Sequence, residues 1–205
     1  NLYGISMSAR LKSVSVVLSL VFFAACGGGS KMPSSYSVSG QVQKGPLIFG
    51  SRIWVSELNS DLNPNGKTYL AQTADDLGNF TVASTVNSNL VELLGMGYYM
   101  DELTGSLSTS PITLSAIADL TVDQTPTINI LTTLQAPRVK NLILQGKSYS
   151  EALEQSQTEV LSAFGIDSSK IDSLQSLYAM SINGTSDQDS ALLAASTILA
   201  KMSTI

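Results

Sequence analysis

The sequence predicts an α+β protein in which an N-terminal antiparallel β-sandwich of about seven short strands is followed by a small α-helical bundle. Two patterns along the chain support this prediction. Over residues 36–120, apolar and polar residues alternate in short runs that are separated by turns rich in Gly, Pro, Asp and Asn. After Asp119 the apolar spacing lengthens from two residues to about 3.6, the repeat of a helix.

The first two strands are predicted from the inward faces they would present. One face of the first strand holds the alternate residues Tyr36, Val38, Gly40 and Val42. Gly45-Pro46 then turns the chain, and residues 52–58 form the second strand. We expect Ile53 and Val55 inside, on the face they share with Glu57, and Trp54 on the opposite face.

The later strands are predicted by the same alternation. It covers residues 68–73, and residues 75–79 form a turn in which Gly78 is expected to supply the positive φ. Phe80 then begins another inward face. The last two predicted strands cover residues 91–94 and 112–117.

The first predicted helix has an apolar stripe from Ile128 to Ile143 and ends at Gly146. Pro137 interrupts this stripe. A proline inside a helix removes one backbone hydrogen bond and clashes with the preceding turn, so we expect either a kink near Gln135 or a new helix that starts with the proline in its first turn.

Three further helices are predicted towards the C-terminus. A capping box of Ser148 and Glu151 begins a helix that continues to Gly165. A shorter helix covers residues 173–180 and is capped by Asp172. The last predicted helix begins near Asp189 and has two candidate caps, Ser186 and Asp187. Short loops between the helices predict antiparallel packing.

The first 25 residues have the layout of a secretion signal. Arg10 and Lys12 form a short basic region, residues 14–23 are apolar, and the small pair Ala24-Ala25 precedes a cleavage point. A helix over residues 14–25 would be about 18 Å long, whereas the hydrocarbon layer of a membrane is about 30 Å thick. The segment is therefore too short to remain as a membrane span.

The end of this signal, Phe23-Ala24-Ala25-Cys26, resembles the lipobox of bacterial lipoproteins. The resemblance implies cleavage between Ala25 and Cys26, a diacylglycerol group on the Cys26 thiol and acylation of the new amino group. Gly27, in place of an Asp, implies the outer membrane in a cell that has one. The alternative is an ordinary secretion signal that leaves Cys26, the one cysteine of the chain, as a free thiol.

These patterns predict four segments. Residues 1–25 are upstream residues and signal peptide, residues 26–35 are the lipidated cysteine and a flexible tether, residues 36–120 are the β-sandwich domain, and residues 121–205 are the helical domain. Met7 is a better initiator than Asn1. The chain stops within an apolar run that ends at Ile205, so we expect the helical domain to be truncated there.

Several motifs in the strand region resemble the carboxypeptidase regulatory-like, transthyretin-like β-sandwich family. They are Val38-Ser39-Gly40-Gln41-Val42, then Ile53-Trp54-Val55, the turn Thr73-Ala74-Asp75-Asp76-Leu77-Gly78-Asn79-Phe80, and Gly95-Met96-Gly97-Tyr98-Tyr99. The resemblance covers about residues 36–120. It implies a rigid spacer, an adhesion module or a carbohydrate-binding accessory that is not itself catalytic.

Composition argues against several classes of function. The chain has no histidine, which excludes Ser-His-Asp and Cys-His catalysis and the common zinc ligand sets. The formal charge is −5, and loss of Arg10 and Lys12 with the signal leaves 9 basic against 16 acidic residues, a charge of −7, so we expect no nucleic-acid partner. We expect no enzymatic activity and no cofactor other than the lipid on Cys26.

Two weaker candidate sites remain. Asp61, Asn63 and Asn65 match the first half of a calcium loop that precedes a glycine, but Gln72 stands where a bidentate Glu is required, and an Asn-Gly turn is the competing interpretation. The aromatic residues Trp54, Tyr98 and Tyr99 could form a platform for a sugar, with one of the two adjacent tyrosine rings turned inward and the other outward. Ordinary packing is the alternative for these rings.

The sequence as a whole favours a bacterial envelope lipoprotein that is anchored through Cys26. Its β-sandwich would serve as a non-catalytic spacer or binding module, and its helical domain would contact a partner. The expected partners are the membrane and an envelope protein or glycan. The alternatives are a carbohydrate-binding accessory module, or the N-terminal module of a larger surface enzyme whose catalytic part lies beyond Ile205.

Overall fold

The computed structural model describes residues 34–101, 104–171, 176–182 and 185–202. These residues form seven strands: β1 Ser39–Gln43, β2 Arg52–Leu58, β3 Pro64–Gln72, β4 Asn79–Thr81, β5 Leu90–Gly97, β6 Ile112–Asp119 and β7 Thr127–Asn129. They also form three α-helices, α1 Ile130–Leu144, α2 Tyr149–Ala163 and α3 Asp187–Met202, and two short 3₁₀ helices, Ser168–Lys170 and Leu177–Ala179. The predicted signal, Ala25, Cys26, most of the tether and Asp172 lie outside the described residues.

The seven strands are divided between two sheets. Sheet 1 has the order β4-β1-β7 and sheet 2 the order β3-β2-β5-β6. Neighbouring strands are antiparallel throughout, except that β1 and β7 run parallel. The predicted α+β class is therefore confirmed, as two mostly antiparallel sheets with the helices towards the C-terminus.

The two sheets share one apolar core. The alternation predicted for β2 holds, because Ile53 and Val55 are fully buried there. Phe80 is 2% exposed in the same core, as the sequence predicted. The other large contributors from sheets 1 and 2 are Val38, Val42, Ile128, Val91, Leu93 and Leu114. We call this cluster the sandwich core.

Ile128 lies in a strand, not in the helix predicted for it. β7 has three residues and pairs with β1, so that Ile128 is opposite Val42 and fully buried in the sandwich core. The helix begins immediately afterwards. The Asn129 side chain accepts a hydrogen bond from the Thr132 backbone N–H, and the Thr132 hydroxyl accepts one from the Asn129 N–H, each at 2.9 Å. This reciprocal cap starts α1 at the edge of the sandwich.

Helix α1 continues through Pro137, so no new helix begins there. The proline ring is on the exposed side, whereas Ala136 and Val139 beside it are 4% and 1% exposed. Burial of these neighbours stabilises the helix on both sides of the proline against the loss of one backbone hydrogen bond.

The first turn of α1 covers the edge strand β6. Thr133 Oγ1 accepts a hydrogen bond from the Ser115 backbone N–H at 2.9 Å, and Thr132 Oγ1 donates one to the Ser115 carbonyl at 2.7 Å. Two residues further along β6, the Ile117 carbonyl accepts a hydrogen bond of 3.5 Å from the Tyr149 hydroxyl. An uncovered strand edge can pair with another chain, and these side chains occupy that edge.

The helices then cover one end of the outer face of sheet 2, the face turned away from the sandwich core. Leu58, Leu90 and Ile117 of this face pack against three residues of α1, namely Ala136, Val139 and Leu142. All six are at most 7% exposed. Sheet 2 is therefore buried on both faces at this end.

Helix α2 returns beside α1. The predicted capping box is present, because the Ser148 side chain accepts from the Glu151 N–H and the Glu151 side chain accepts from the Ser148 N–H. Gln135 contacts Ser156 at 3.1 Å, and Arg138 forms two hydrogen bonds to Glu159, of 2.6 and 2.9 Å. Only residues 145–148 separate the two helices, so the packed pair is antiparallel, as the short loops predicted.

The segment after α2 differs from the helix predicted over residues 173–180. Its described part contains a single 3₁₀ turn, Leu177–Ala179, in which Leu177 and Tyr178 are buried. Tyr178, 1% exposed, belongs to the sandwich core, whereas Leu177 and Met180 pack with α1, α2 and α3. α3 follows, and Ser186, one of the two predicted caps, accepts a hydrogen bond from the Asp189 N–H. Among the helices of the described ranges, none is long and apolar enough to span a bilayer.

Gly78 provides a test of the predicted turn. Its φ is +77°, and a Cβ there would lie 2.3 Å from the Val42 carbonyl oxygen of β1. Gly66 is a matched control, since its φ is +94° but a Cβ would meet no atom within 4 Å. We expect Gly66→Ala to lower the free energy of unfolding by about 1–2 kcal/mol through the backbone conformation alone.

Gly78→Ala should cost at least about 1 kcal/mol more than Gly66→Ala, because the turn must also move away from β1. Urea unfolding monitored by circular dichroism measures both variants. Equal losses would contradict the close approach to Val42.

Candidate functional site

The other end of the outer face of sheet 2 is not covered by the helices. Because Ile53 and Val55 point into the sandwich core, Arg52 and Trp54 point outward. Trp54 lies opposite Leu70 on β3 and opposite Leu94 on β5, and Arg52 lies opposite Gln72 and Met96. We call this surface the open face, defined by Arg52, Trp54, Leu70, Gln72, Leu94 and Met96.

The open face exposes large apolar side chains. Leu70 is 71% exposed and Met96 is 36% exposed. A groove of about 460 Å³ lies between β2 and β3, and Arg52, Trp54, Leu70 and Gln72 line it. Exposed apolar groups that are grouped in this way are typical of interaction surfaces, whereas single exposed apolar residues are not informative.

A second depression extends the open face beyond the end of β5. It has a volume of about 280 Å³, and Phe49, Arg52, Met96 and Tyr98 are among the residues that line it. Phe49 is 68% exposed and Tyr98 is 42% exposed. Arg52 lines both depressions and is the cationic residue that they share.

The structure brings together two of the three aromatic residues predicted as a platform. Trp54 and Tyr98 lie on either side of Arg52, along the same outer face. Tyr99 is elsewhere: it pairs with Leu47, packs against the sandwich core, and has the Lys44 ammonium group 4.6 Å from its ring centroid. One tyrosine ring is therefore turned outward and the next inward, as the alternation predicted.

The predicted calcium residues fall in two different local structures. Asn59 Oδ1 accepts hydrogen bonds from the backbone N–H groups of Asp61 and Asn63, at 3.0 and 2.9 Å, and forms the turn. Asn65 belongs to β3, where its Oδ1 accepts from the Lys67 N–H at 3.0 Å. The turn is therefore at residues 59–63, and the Asn65-Gly66 pair lies within the strand.

A cluster of carboxylates that could form a metal site is absent from the part of the chain that the structure describes. Over those residues, no three or more Cys, Asp or Glu side chains are close enough together to hold a metal ion. Asp75 and Asp76 instead form a turn, as the sequence predicted. Asp75 Oδ1 accepts from the Leu77 and Asn79 N–H groups, and Asp76 Oδ1 accepts from the Phe49 N–H at 2.8 Å.

Glu57 is a buried carboxylate that the sequence analysis did not single out. Its side chain is 2% exposed. Oε1 accepts hydrogen bonds from the Tyr69 hydroxyl and the Asn87 backbone N–H, both at 2.7 Å, and Oε2 accepts one from the Asn65 side-chain amide at 2.8 Å. The Lys67 ammonium group lies 3.9 Å from Oε2.

These contacts determine the ionisation of Glu57. Burial alone would raise the pKa of this carboxyl, but the hydrogen bonds from Asn65, Tyr69 and Asn87 outweigh it and hold the pKa below its ordinary value of 4.5. The carboxylate therefore joins β2 to β3 and to the loop before β5. Its position on the inward face, in register with Ile53 and Val55, was the one available signal in the sequence.

The lowered pKa of Glu57 predicts a pH-dependent stability. Its carboxylate stabilises the fold above the unfolded-state pKa, and this contribution is lost as the pH falls through the lower folded-state pKa. We expect Glu57→Gln to lower the free energy of unfolding by about 1–3 kcal/mol at neutral pH, and by progressively less at acidic pH.

Urea unfolding at a series of pH values measures this difference. Glu154→Gln, at an exposed glutamate on α2, is the control and should follow the wild-type profile. A Glu57→Gln deficit that stays constant down to pH 2 would contradict the role given to the carboxylate.

The open face and the depression that extends it combine three aromatic side chains (Trp54, Phe49 and Tyr98), several aliphatic side chains and one arginine on the same sheet. Such a surface can bind a ligand that presents an apolar face together with hydroxyl or anionic groups. No family model matches the chain, and no curated protein and no solved structure is significantly similar to it.

Proposed function

We propose that this protein is a lipoprotein of the bacterial cell envelope, on the outer membrane in a cell that has one. Acyl chains on Cys26 would hold it at the membrane, and its non-catalytic β-sandwich would bind an envelope partner through the open face. One observation carries the anchor: the only cysteine directly follows a basic region, an apolar run and a pair of small residues. Two or three acyl chains bind a membrane stably, whereas a single chain does so only marginally.

We propose that the sandwich is of the carboxypeptidase regulatory-like, transthyretin-like type. The sequence motifs over residues 73–80 support this, and so does the conformation of their turn. Gly78 has a positive φ, and Phe80 is buried in the sandwich core. On this proposal the domain serves as a rigid support for a binding surface.

The point at which the chain enters the sandwich supports a role for the open face. Tyr36 pairs with Val86, just before β5 begins, whereas Leu47 pairs with Tyr99, just after β5 ends. The tether would therefore join one end of the sandwich, while Arg52 and Tyr98 lie towards the other. Residues 27–35 could extend to about 30 Å, so the open face would remain accessible to a partner.

The helices offer a second contact surface on this proposal. Leu144, at the end of α1, is 83% exposed, and Leu193 and Ile198 of α3 are each 42% exposed. These side chains are not part of the open face. We propose that the helical domain contacts an envelope protein through exposed apolar side chains of this kind.

Metabolic labelling tests the anchor. Cells that express the wild-type chain and are supplied with labelled palmitate should incorporate the label, and the Cys26→Ser variant should not, because it lacks the thiol that would be alkylated. Ser30→Ala, in the predicted tether, is the control and should be labelled like the wild type. Equal labelling of wild type and Cys26→Ser would overturn the proposed lipid anchor.

A carbohydrate-binding accessory is the second candidate function. The observation that favours it is the position of the half-buried Trp54 and the exposed Tyr98 on one face, with Arg52 between them and Gln72 beside Trp54. Aromatic rings can pack against the apolar faces of sugars, while guanidinium and amide groups bind hydroxyl groups.

Glycan binding tests this second candidate. If a glycan array identifies a ligand, Trp54→Ala and Tyr98→Ala should each weaken its binding at least about tenfold, equivalent to about 1.4 kcal/mol, through loss of a packed ring. Leu144→Ala removes an apolar side chain that is even more exposed, at 83%, but lies outside the open face, and it should bind normally. An array without any bound glycan, or unchanged binding by both aromatic variants, would exclude the candidate.

A further inference from the structure

Strand β3 is an edge strand of sheet 2. Along the edge that points away from β2, no strand of the described residues pairs with it in the sheet. β2 is its only neighbour in the sheet order. Thr73, which directly follows β3, is turned towards the end of β2: its N–H donates to the Ser51 carbonyl at 2.9 Å, and its carbonyl accepts from the Gly50 N–H at 3.0 Å. Backbone groups alternate in direction along a strand, so those of Leu70 and Thr68 point to the open side.

The open part of this edge is short and has defined limits. Beyond Gln72, the chain pairs through Thr73 with Phe80 of β4. Before Thr68, β3 carries features that discourage pairing: the exposed Lys67, an irregular register with β2, and Pro64. Residues 68–71 are Thr-Tyr-Leu-Ala and have no charge, proline or bulge. They offer four backbone hydrogen-bonding groups, from Thr68 and Leu70.

We propose that this edge pairs with the same edge of a second copy of the chain, antiparallel and two-fold symmetric about Tyr69. In this register Thr68 of each copy lies opposite Leu70 of the other, and both outward-pointing residues are satisfied. Lys67 lies opposite Ala71, so the pairing opposes no like charges. The register is self-complementary, as a two-fold interface requires.

The other edge of sheet 2 favours a second copy over an open-ended assembly. The Thr132 and Thr133 hydroxyls and the Tyr149 hydroxyl cover β6. Among the described residues, sheet 2 of each copy thus has one open edge, and pairing through it closes after two copies, whereas two open edges in the sheet would allow fibres.

Pairing at this edge also has an apolar component. Side chains that lie opposite each other across antiparallel strands point to the same face of a sheet, so the Leu70 side chains of the two copies would both lie on the outer face. Each has Trp54 of its own copy beside it. The pairing would join two open faces into one surface and leave them accessible. It does not depend on Cys26 or on the proposed membrane anchor.

Disulfide trapping tests this register. The full chain with Cys26→Ser has no other cysteine, so an introduced thiol is the only one. In the proposed dimer Thr68→Cys of one copy and Leu70→Cys of the other would have Cα atoms about 5.5 Å apart, within the range of a disulfide. Two copies of the same variant would place their thiols two strand positions out of register, at about 8 Å or more.

We therefore expect a mixture of the Thr68→Cys and Leu70→Cys chains to form a covalent heterodimer under mild oxidation at least about tenfold faster than either chain alone. Leu144→Cys, at the exposed end of α1, measures cross-linking by random collision. A mixture that cross-links no faster than its separate components or than Leu144→Cys would overturn the proposed register.

Analytical ultracentrifugation of the Cys26→Ser chain without other changes tests the dimer itself. We expect twice the monomer mass, and the monomer mass for Leu70→Lys, which sets a charge at the centre of the edge. Leu70 is 71% exposed, so at a concentration low enough for the parent chain to be monomeric this variant should keep the urea unfolding profile of the parent. If the parent chain is monomeric at about 100 µM, the proposal is overturned. This holds even if the β3 edge of that monomer binds an extended peptide.

Discussion

The attachment of the first turn of α1 to the edge of β6 is the constraint on which the rest of the arrangement depends. Thr132 and Thr133 bind both backbone groups of Ser115, so the helix starts at a defined place beside sheet 2. The helical repeat then brings Ala136, Val139 and Leu142 onto the outer face, with α2 packed behind them. The length of the outer face that stays exposed is thus determined by where one helix begins, and β2 and β5 simply extend past it.

Sheet 2 is consequently asymmetric from one edge to the other. Its β6 edge is covered by hydroxyl groups and lies against buried apolar residues. Its β3 edge is held from the inside by a carboxylate, since Glu57 binds Asn65 and Tyr69 of β3 and keeps this strand in register although most of its residues are exposed. A network of this kind is stable only when every member has a partner, which is the case for the carboxylate here. A rigid strand with a solvent-facing edge is the result.

Local patterns in the sequence predicted most of the elements but not the way in which they combine. The inward face of β2, the positive φ of Gly78 and the capping box at Ser148 all arise within a few residues, and all were predicted correctly. β7 was missed because three residues are too few to establish a period. Two further features depend on burial of α1 against sheet 2, whose strands are distant in the sequence: the continuity of α1 through Pro137, and which end of the outer face of sheet 2 stays exposed. The partners of Glu57 come from β3 and from the loop before β5, two stretches that are separate from its own strand, so its role could not be predicted from spacing.

Asn129 connects these layers in a way that bears on how the chain acquires its structure. Its side-chain amide, fully buried, donates to the Leu177 carbonyl at 2.8 Å, and the neighbouring Tyr178 fills part of the space between the two sheets. The β-rich half therefore lacks one of its interior aromatic rings until residues nearly fifty positions further on have joined it. Whether the polypeptide emerges from a ribosome or crosses a membrane N-terminus first, its sheets cannot reach their final packing before this late segment arrives, and until then a holding factor or a slow transit would have to protect the incomplete interior from aggregation.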